Sequence, residues 1–336
     1  MMQISPEIQL FIREHSSDDV RVLALQAKKY PDIDMPTAIT QIAGRKVAAE
    51  KIPSWWEIEK IWYPKHLSLE QCSSEITARY KARLLQGDSL TDLTGGFGID
   101  CSFLATGFKS ATYVERQEEL CEIAAHNFPV LNLNHINIKN EDGVTYLQAM
   151  SPVDCLFLDP ARRNEHGGKT VAISDCEPNV AELEELLLQK ANRVMIKLSP
   201  MLDLSLALKE LKQTQEVHIL SVNNECKELL ILLGQTSPTE ISIHCVNLST
   251  KGTQEEQHFV FTREQEQCSE CTYTDSLETY LYEPNASLLK AGAFRSIAAA
   301  YPVRKLHPNS HLYTSDTFIE NFPGRIFRIV NQCSFN

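Results

Sequence analysis

The sequence predicts an α/β protein in which a doubly wound sheet of seven strands follows an N-terminal helical domain and precedes a C-terminal α+β domain. Two observations carry this expectation. Between residues 67 and 237, apolar strand-like runs alternate with helical stretches, the signature of a parallel sheet covered by crossover helices. The first of those runs enters a glycine-rich turn and then a helix, as strands at the ligand edge of such sheets do. At 336 residues and 43% hydrophobic, the chain is globular and exceeds what one core organises, so several domains are expected.

Residues 1–66 show helical periodicity, first through Ile8, Leu10, Phe11 and Ile12, then through Val20, Val22, Leu23 and Leu25. Pro31, Pro36 and Pro53 break it. Trp55-Trp56 and Trp62-Tyr63 read as a hydrophobic plug that packs this domain on the next, in preference to a base-stacking platform. Ser68 is placed as the N-cap of a helix reaching about residue 85. Strands are then expected at 90–93, 111–114, 135–138, 153–158, 194–198, 216–222 and 228–233, with helices including 116–128 and 179–190. The last two strands form an antiparallel hairpin, which closes a domain spanning 67–237. Beyond it, strands at 241–246 and 258–262, an acidic loop at 264–270, a helix at 286–300 and a strand at 325–330 read as a small α+β domain.

A formal charge of −12 excludes a protein that coats nucleic acid over its whole surface, because phosphate binding needs concentrated Lys and Arg. The acidic excess lies outside the C-terminal region, where Lys290, Arg295, Arg304, Lys305, Arg325 and Arg328 leave room for a local basic surface. No apolar run approaches the roughly 20 residues of a membrane span, and no leader precedes the helices, so a cytoplasmic location without membrane partners is expected. The ten cysteines are scattered, several within apolar runs, and read as reduced thiols. Only Cys268 and Cys271 have metal-ligand spacing, and no second pair of ligands accompanies them, so the sequence assigns no metal.

The run Asp92-Leu93-Thr94-Gly95-Gly96-Phe97-Gly98-Ile99-Asp100 is where the chemistry begins. Glycines allow a tight turn and a close approach to a ligand, and the exposed N–H groups at a helix start favour polar atoms. A dinucleotide fold needs a third glycine, which Cys101 replaces, and this disfavours a nicotinamide-dependent oxidoreductase. Asp92 and Asp100 repel a pyrophosphate and suit a ligand bearing a sulfonium and an ammonium group. Glu115 follows the second strand, where a carboxylate accepts both hydroxyls of a ribose. Asp142, after the third strand, suits an adenine amino group, a helix N-cap, or both.

After the fourth strand come Asp159-Pro160-Ala161-Arg162-Arg163. Proline fixes its own φ and restricts its predecessor, so the Asp159 carboxylate and nearby carbonyls are aimed at one point, able to receive an amino group. Arg162 and Arg163 suit a phosphate, and the glycine-rich run 164–169 suits a lid in which His166 is a loop residue. Lys197, at the end of the fifth strand, reads equally as a substrate contact and as a solvated lysine. No cysteine stands at the tip of the fourth or fifth strand, so methylation at a pyrimidine carbon, which needs such a nucleophile, is disfavoured against N-methylation.

With these residues in place, the chain resembles the class I S-adenosylmethionine-dependent methyltransferases, whose fold is Rossmann-like. Asp92 to Asp100 matches their first motif, Glu115 the second-strand acid, and Asp159-Pro160 the motif after strand four. The Asp-x-Thr-x-Gly-x-Gly-x-Asp form of the loop is characteristic of RNA-modifying members. The chain is more specifically similar to a bacterial multidomain family whose C-terminal parts are ferredoxin-like and THUMP-like. This rests on Leu69-Glu70-Gln71-Cys72-Ser73-Ser74-Glu75, Thr77-Ala78, Asp159 to Arg163, Tyr282-Glu283-Pro284-Asn285-Ala286 and Lys290-Ala291-Gly292.

The resemblance implies S-adenosylmethionine held by Asp92, Thr94, Gly95, Gly96, Gly98, Asp100, Glu115 and Asp142, with Gln71 and Ser73 lining the pocket. Asp159 and Pro160 become the catalytic pair, and Arg162, Arg163 and Lys197 contact substrate. It also implies a ferredoxin-like module at 238–320 and, at 321–336, the first strand of a THUMP-like module, with the natural chain continuing beyond Asn336. THUMP domains bind RNA, so structured RNA is the implied partner, with no obligate protein partner evident. The sequence departs from amino-group methyltransferases at Ala161-Arg162, where a second proline and an aromatic residue are common; a stacking surface for a flipped base is thereby absent. The alternative is an RNA-binding module whose Rossmann-like domain binds S-adenosylmethionine without transferring its methyl group.

Overall fold

The structure is a computed structural model describing residues 4–162, 172–236, 238–250 and 256–333. The chain forms two compact units, Met1–Leu158 with Gln189–Asn192, and Asp159–Leu188 with Arg193–Asn336. The fold is α/β and Rossmann-like, with a helical N-terminus and a C-terminal antiparallel sheet.

The first unit opens with α1 (Pro6–Glu14), α2 (Val20–Leu25), α3 (Met35–Lys51) and α4 (Pro53–Trp56). The side chains of Ser5, Asp19 and Asp34 cap the first three by accepting backbone N–H bonds from Ile8, Arg21 and Thr37. Pro36 and Pro53, expected as breakers, instead start helices, where a missing N–H costs nothing. A core of Ile8, Phe11, Ile12, Leu23, Met35, Ala38 and Ile42 holds this region together. The helix expected at 68–85 is two: α5 (His66–Gln71) and α6 (Glu75–Ala82). Lys65, not Ser68, is the N-cap of the first, and Cys72 is in extended backbone, which ends it.

Four parallel strands follow, β1 (Ser89–Asp92), β2 (Ser110–Glu115), β3 (Ile136–Asn140) and β4 (Val153–Leu158), in the order β4-β1-β2-β3. Their connections are α7 (Ile99–Ala105), α8 (Glu118–Val130) and α9 (Gly143–Ala149). Trp55, Ile61 and Tyr63 share one core with Phe97, Ile99, Leu120 and Ile123, with Trp62 packed against it, so these aromatics form the plug, whereas Trp56 is exposed. Trp55 meets Phe97 edge-on, with ring centroids 5.2 Å apart. Residue 66 is therefore no boundary: the helices and the glycine loop belong to one packed unit.

The second unit holds a short antiparallel pair, Ala161–Arg162 with Cys176–Glu177, and then α10 (Val180–Lys190) and β5 (Ala191–Leu198), the last elements partly shared with the first unit. After α11 (Leu204–Glu210) come β6 (Thr214–Val222), β7 (Glu225–Gly234), β8 (Ser242–Leu248) and β9 (Glu256–Thr262), in the order β9-β8-β6-β7-β5. Asn223 and Asn224, both at positive φ (50° and 66°), close the β6–β7 hairpin with the left-handed geometry such turns need. Leu229 to Leu233 are fully buried, as expected of a strand covered on both faces.

The strands at 241–246 and 258–262 do not belong to a separate small domain. β8 runs parallel to β6 with Ile243 opposite Val217, and β9 pairs antiparallel with β8. The acidic segment expected as a loop is α12 (Arg263–Cys268), started by a reciprocal cap between Thr262 and Gln265. The C-terminal sheet comprises β10 (Tyr280–Pro284), β11 (Arg304–Lys305), β12 (Tyr313–Ser315) and β13 (Gly324–Arg328), in the order β11-β12-β10-β13. The helix expected at 286–300 is interrupted by Gly292 at φ 77°, giving α13 (Ala286–Ala291) and α14 (Ser296–Ala300). The strand assigned to a THUMP-like start is β13, paired with β10. Among the described residues no helix is long and apolar enough to cross a membrane, and the cysteines form no disulfide.

Candidate functional site

β1 is an internal strand of the first unit's sheet, flanked by β2 and β4, so its carboxyl end opens between two other strand ends. There Asp92 is 1% exposed and turns back to accept the Thr94 N–H at 3.0 Å. The loop then closes on itself: Gly95 donates to Val114 O at 2.8 Å, and Gly98 donates to Gly95 O at 2.8 Å. Gly96 and Gly98 have φ of 54° and 86°, which side chains rarely adopt. A Cβ on Gly95 would lie 2.3 Å from the Tyr113 ring, so that glycine answers to packing. A Cβ on Gly96 would meet nothing nearer than Thr94 O at 3.8 Å, so that glycine faces open space.

Two side chains from β2 hold the loop from below. The Tyr113 hydroxyl donates to Gly96 O at 2.5 Å, and burial pushes its pKa well above the ordinary tyrosine value, with the Glu115 carboxylate adding to the effect. Glu115 is 9% exposed and accepts Gly96 N–H at 2.9 Å through one carboxylate oxygen and Gln117 N–H at 2.8 Å through the other. Each oxygen keeps a further lone-pair site, so the carboxylate can fix the loop and still accept a ligand hydroxyl. Tyr113 escaped the sequence reading. Its signal was a tyrosine inside a buried strand, whose hydroxyl must find a partner.

Asp142 is exposed and caps α9, accepting Val144 N–H at 3.1 Å and Thr145 N–H at 3.0 Å. Gly143 carries this cap against the glycine loop, since a Cβ there would lie 2.2 Å from Leu93 O. Asn140 joins the ends of β2 and β3 by donating to Glu115 O at 3.0 Å. The loop, Glu115 and Asp142 are thus gathered around the ends of β1, β2 and β3.

Asp100 has a different situation. It is 8% exposed and forms an ion pair with Lys81 Nζ at 2.8 Å, while Ser73 donates to its other oxygen at 2.7 Å. Lys81, fully buried, also donates to Ser73 Oγ at 2.7 Å. This closed triangle joins the start of α7 to α6 and explains why the chain breaks its helix before Ser74: Ser73 must face inward. Gln71, by contrast, is exposed.

In the second unit, Lys197 of β5 donates to the Asp159 carboxylate. Lys197 is 8% exposed, so the solvated-lysine reading fails. Pro160 is buried, and Ala161 and Arg162 pair with Glu177 and Cys176. The Asp159 carboxylate therefore sits between a fixed proline and a buried cation, an arrangement that orients it. The Arg162 side chain and all of Arg163 and His166 lie outside the described residues.

A family model of a ferredoxin-like domain matches residues 280–323. This range takes in β10, β11 and β12 with α13 and α14, and extends neither to β13 nor to β8 and β9. No curated protein matches the chain. Among solved structures, a "putative methyltransferase" from Porphyromonas gingivalis W83 is 35% identical, covering 98% of this chain and 84% of its own, with a TM-score of 0.85. An rRNA methylase from Streptococcus thermophilus is 14% identical over 47% of this chain and 93% of its own, with a TM-score of 0.34. A Streptococcus mutans protein crystallised with SAH is 14% identical over 48% of this chain and 96% of its own, also at 0.34. Likenesses as distant as these two carry no weight for the present chain.

Proposed function

The chain belongs to the family of the Porphyromonas gingivalis "putative methyltransferase", and from that premise we propose that it transfers the methyl group of S-adenosylmethionine to a base nitrogen of RNA. The observation that carries the cofactor is the loop from Asp92 to Gly98, open on the Gly96 side and backed by the buried carboxylates of Asp92 and Glu115. Those groups fit the ligand's chemistry. Asp92 supplies negative charge toward a sulfonium and ammonium, Glu115 has acceptor sites left for ribose hydroxyls, and Asp142 is exposed at the end of β3 to meet an adenine amino group.

Bound there, the cofactor supplies an electrophilic methyl group. The chain's own residues then orient the acceptor. Asp159 is positioned by Pro160 and Lys197 to accept an N–H bond from the amino group, directing its lone pair. With Lys197 offsetting its charge, Asp159 works as an orienting acceptor more than as a strong base. The RNA acceptor is supported by the form of the glycine loop and by Arg328, exposed on a C-terminal strand, whereas the exposed Arg304 and Arg325 are paired with Glu278 and Glu283.

Calorimetry on the full chain is expected to show saturable S-adenosylmethionine binding, weakened by more than about ten-fold in Glu115→Ala. No binding by the intact chain overturns the cofactor assignment. Incubation with labelled cofactor and RNA from cells lacking the protein is expected to label an RNA nucleoside on nitrogen. Cofactor and RNA both bound without transfer identifies the non-catalytic binding module instead.

A further inference from the structure

Away from the glycine loop, the outer strands of the second unit gather imidazoles. Parallel pairing sets His218 of β6 opposite His244 of β8, and Glu216 opposite Ser242, while antiparallel pairing sets Val246 opposite His258 of β9. Cross-strand neighbours share a face, and residues two apart on a strand do too, so Glu216, His218, His244 and His258 all project from one side. On β8 and β9 that side is open around His244 and His258, which are half-buried and exposed, and closed further along β8, where Val246 and Leu248 are buried.

The contacts are closer than a polar sheet surface requires. Glu216 Oε2 lies 3.3 Å from His218 Nε2, and His244 Nδ1 lies 3.1 Å from His258 Nε2. The His218 and His244 rings stack with centroids 4.3 Å apart. Arg193 grips the other Glu216 oxygen at 2.8 Å, leaving Oε2 directed at the imidazoles. One atom each from Glu216, His218 and His244 can be chosen so that all lie within 4.8 Å of one another. Ligand atoms bound about 2.0–2.1 Å from a tetrahedral ion stand about 3.3 Å apart, so the set needs only side-chain rotation to close.

We propose that Glu216, His218 and His244 bind a divalent transition-metal ion of the zinc class, with His258 beside them as the fourth donor. Imidazole and carboxylate donors are the nitrogen and oxygen set that Zn2+ and Co2+ accept, and Arg193 and Ser242 supply the outer hydrogen bonds that orient such ligands, Ser242 Oγ lying 3.1 Å from His244 Nε2. The bound ion ties the β8–β9 hairpin to β6. This site is independent of methyl transfer.

The test uses the full chain, stripped with a chelator and titrated with Co2+ alone. One equivalent is expected to bind with visible d–d absorption and no sulfur charge-transfer band, and Zn2+ is expected to displace it. Glu216→Gln and His244→Gln should each weaken binding by more than about ten-fold with unchanged circular dichroism. If either variant fails to fold, exposed His258→Ala, which removes the fourth donor, must still weaken it measurably. The proposal is overturned by absence of Co2+ binding to the intact chain, by a sulfur charge-transfer band that places the ion at Cys268 and Cys271, or by unaltered binding in the folded variants.

Discussion

Glu115 and Asp159 each end a run of parallel strand, and they are wired in opposite ways. Glu115 receives two backbone N–H groups, from Gly96 and Gln117, and with Tyr113 it dictates the path of the loop above it. Asp159 receives a buried ammonium group from Lys197, which balances its charge and sets its direction. The first arrangement stores shape and the second stores orientation. Backbone-wired sites depend on their glycines and on the packing beneath, whereas a carboxylate oriented by an ion pair depends first on its cation. Perturbing the two regions should therefore give losses of different kinds.

The largest expected effect is in the backbone-wired region, at Lys81. Replacing it with Met takes the cation away from a buried carboxylate that Ser73 also bonds, and breaking a buried pair costs about 3–5 kcal/mol. Denaturant unfolding should show this loss, and Lys81→Met with Asp100→Leu should recover part of it. A loss below about 1 kcal/mol would show that the triangle does not anchor α7.

Next is Gly95→Ala, whose Cβ would stand 2.3 Å from a fully buried Tyr113 ring. Overpacking of this sort costs about 1–3 kcal/mol. Gly96→Ala has no such clash and carries only the cost of positive φ, about 1 kcal/mol, yet it fills the open side of the loop. Its signature is S-adenosylmethionine affinity lost out of proportion to stability, read by calorimetry beside thermal unfolding. Equal behaviour of the two variants would dissolve the distinction between packing and ligand-facing glycines.

In the ion-pair-wired region, Lys197→Met is expected to cost about 1 kcal/mol or less, because Asp159 is partly exposed and hydrates when its partner goes. Methyl transfer should fall far more than stability, with cofactor affinity unchanged. A parallel fall in cofactor affinity would mean that Lys197 serves the loop, contrary to its wiring.

What could be read from the sequence follows the range of the interactions. The turn from Asp92 to Gly98 was legible because glycine placement and helix entry are local, and Glu115 was legible from its place at a strand tip. The buried Lys81–Asp100 pair was not, since no local pattern tells which lysine a carboxylate will meet. The alternation of residues 241–246 and 258–262 identified strands correctly but not their neighbour, because an edge strand of a large sheet and a strand of a small domain share one pattern. The acidic run read as a loop contains Glu266, which accepts N–H bonds from Phe294 at 3.0 Å and Ser296 at 2.9 Å, a helix cap supplied from outside the helix. Glu216, His218, His244 and His258 lie on three strands, and only the register brings them together.

The smallest effect tests how far backbone wiring extends below the loop. Asp154, at the start of β4, accepts Ser89 N–H at 2.9 Å, Asp88 N–H at 2.8 Å and the Ser89 hydroxyl at 2.9 Å, tying β1 to β4 at the end remote from Gly95. These bonds, those from Ser89 and Asp88 foremost, hold its pKa below the ordinary value of 3.8. Below that value the unfolded chain takes up the proton before the folded chain does, so stability falls as pH falls, and above it the contribution is constant. The stability difference between the protein and Asp154→Ala should therefore be steady from neutral pH down to about 5 and shrink below 3.8, as followed by urea unfolding at each pH. A difference that persists undiminished into the acid range would assign the contribution of Asp154 to packing against Gly87, whose Cβ would stand 2.6 Å from that of Asp154, and not to its charge.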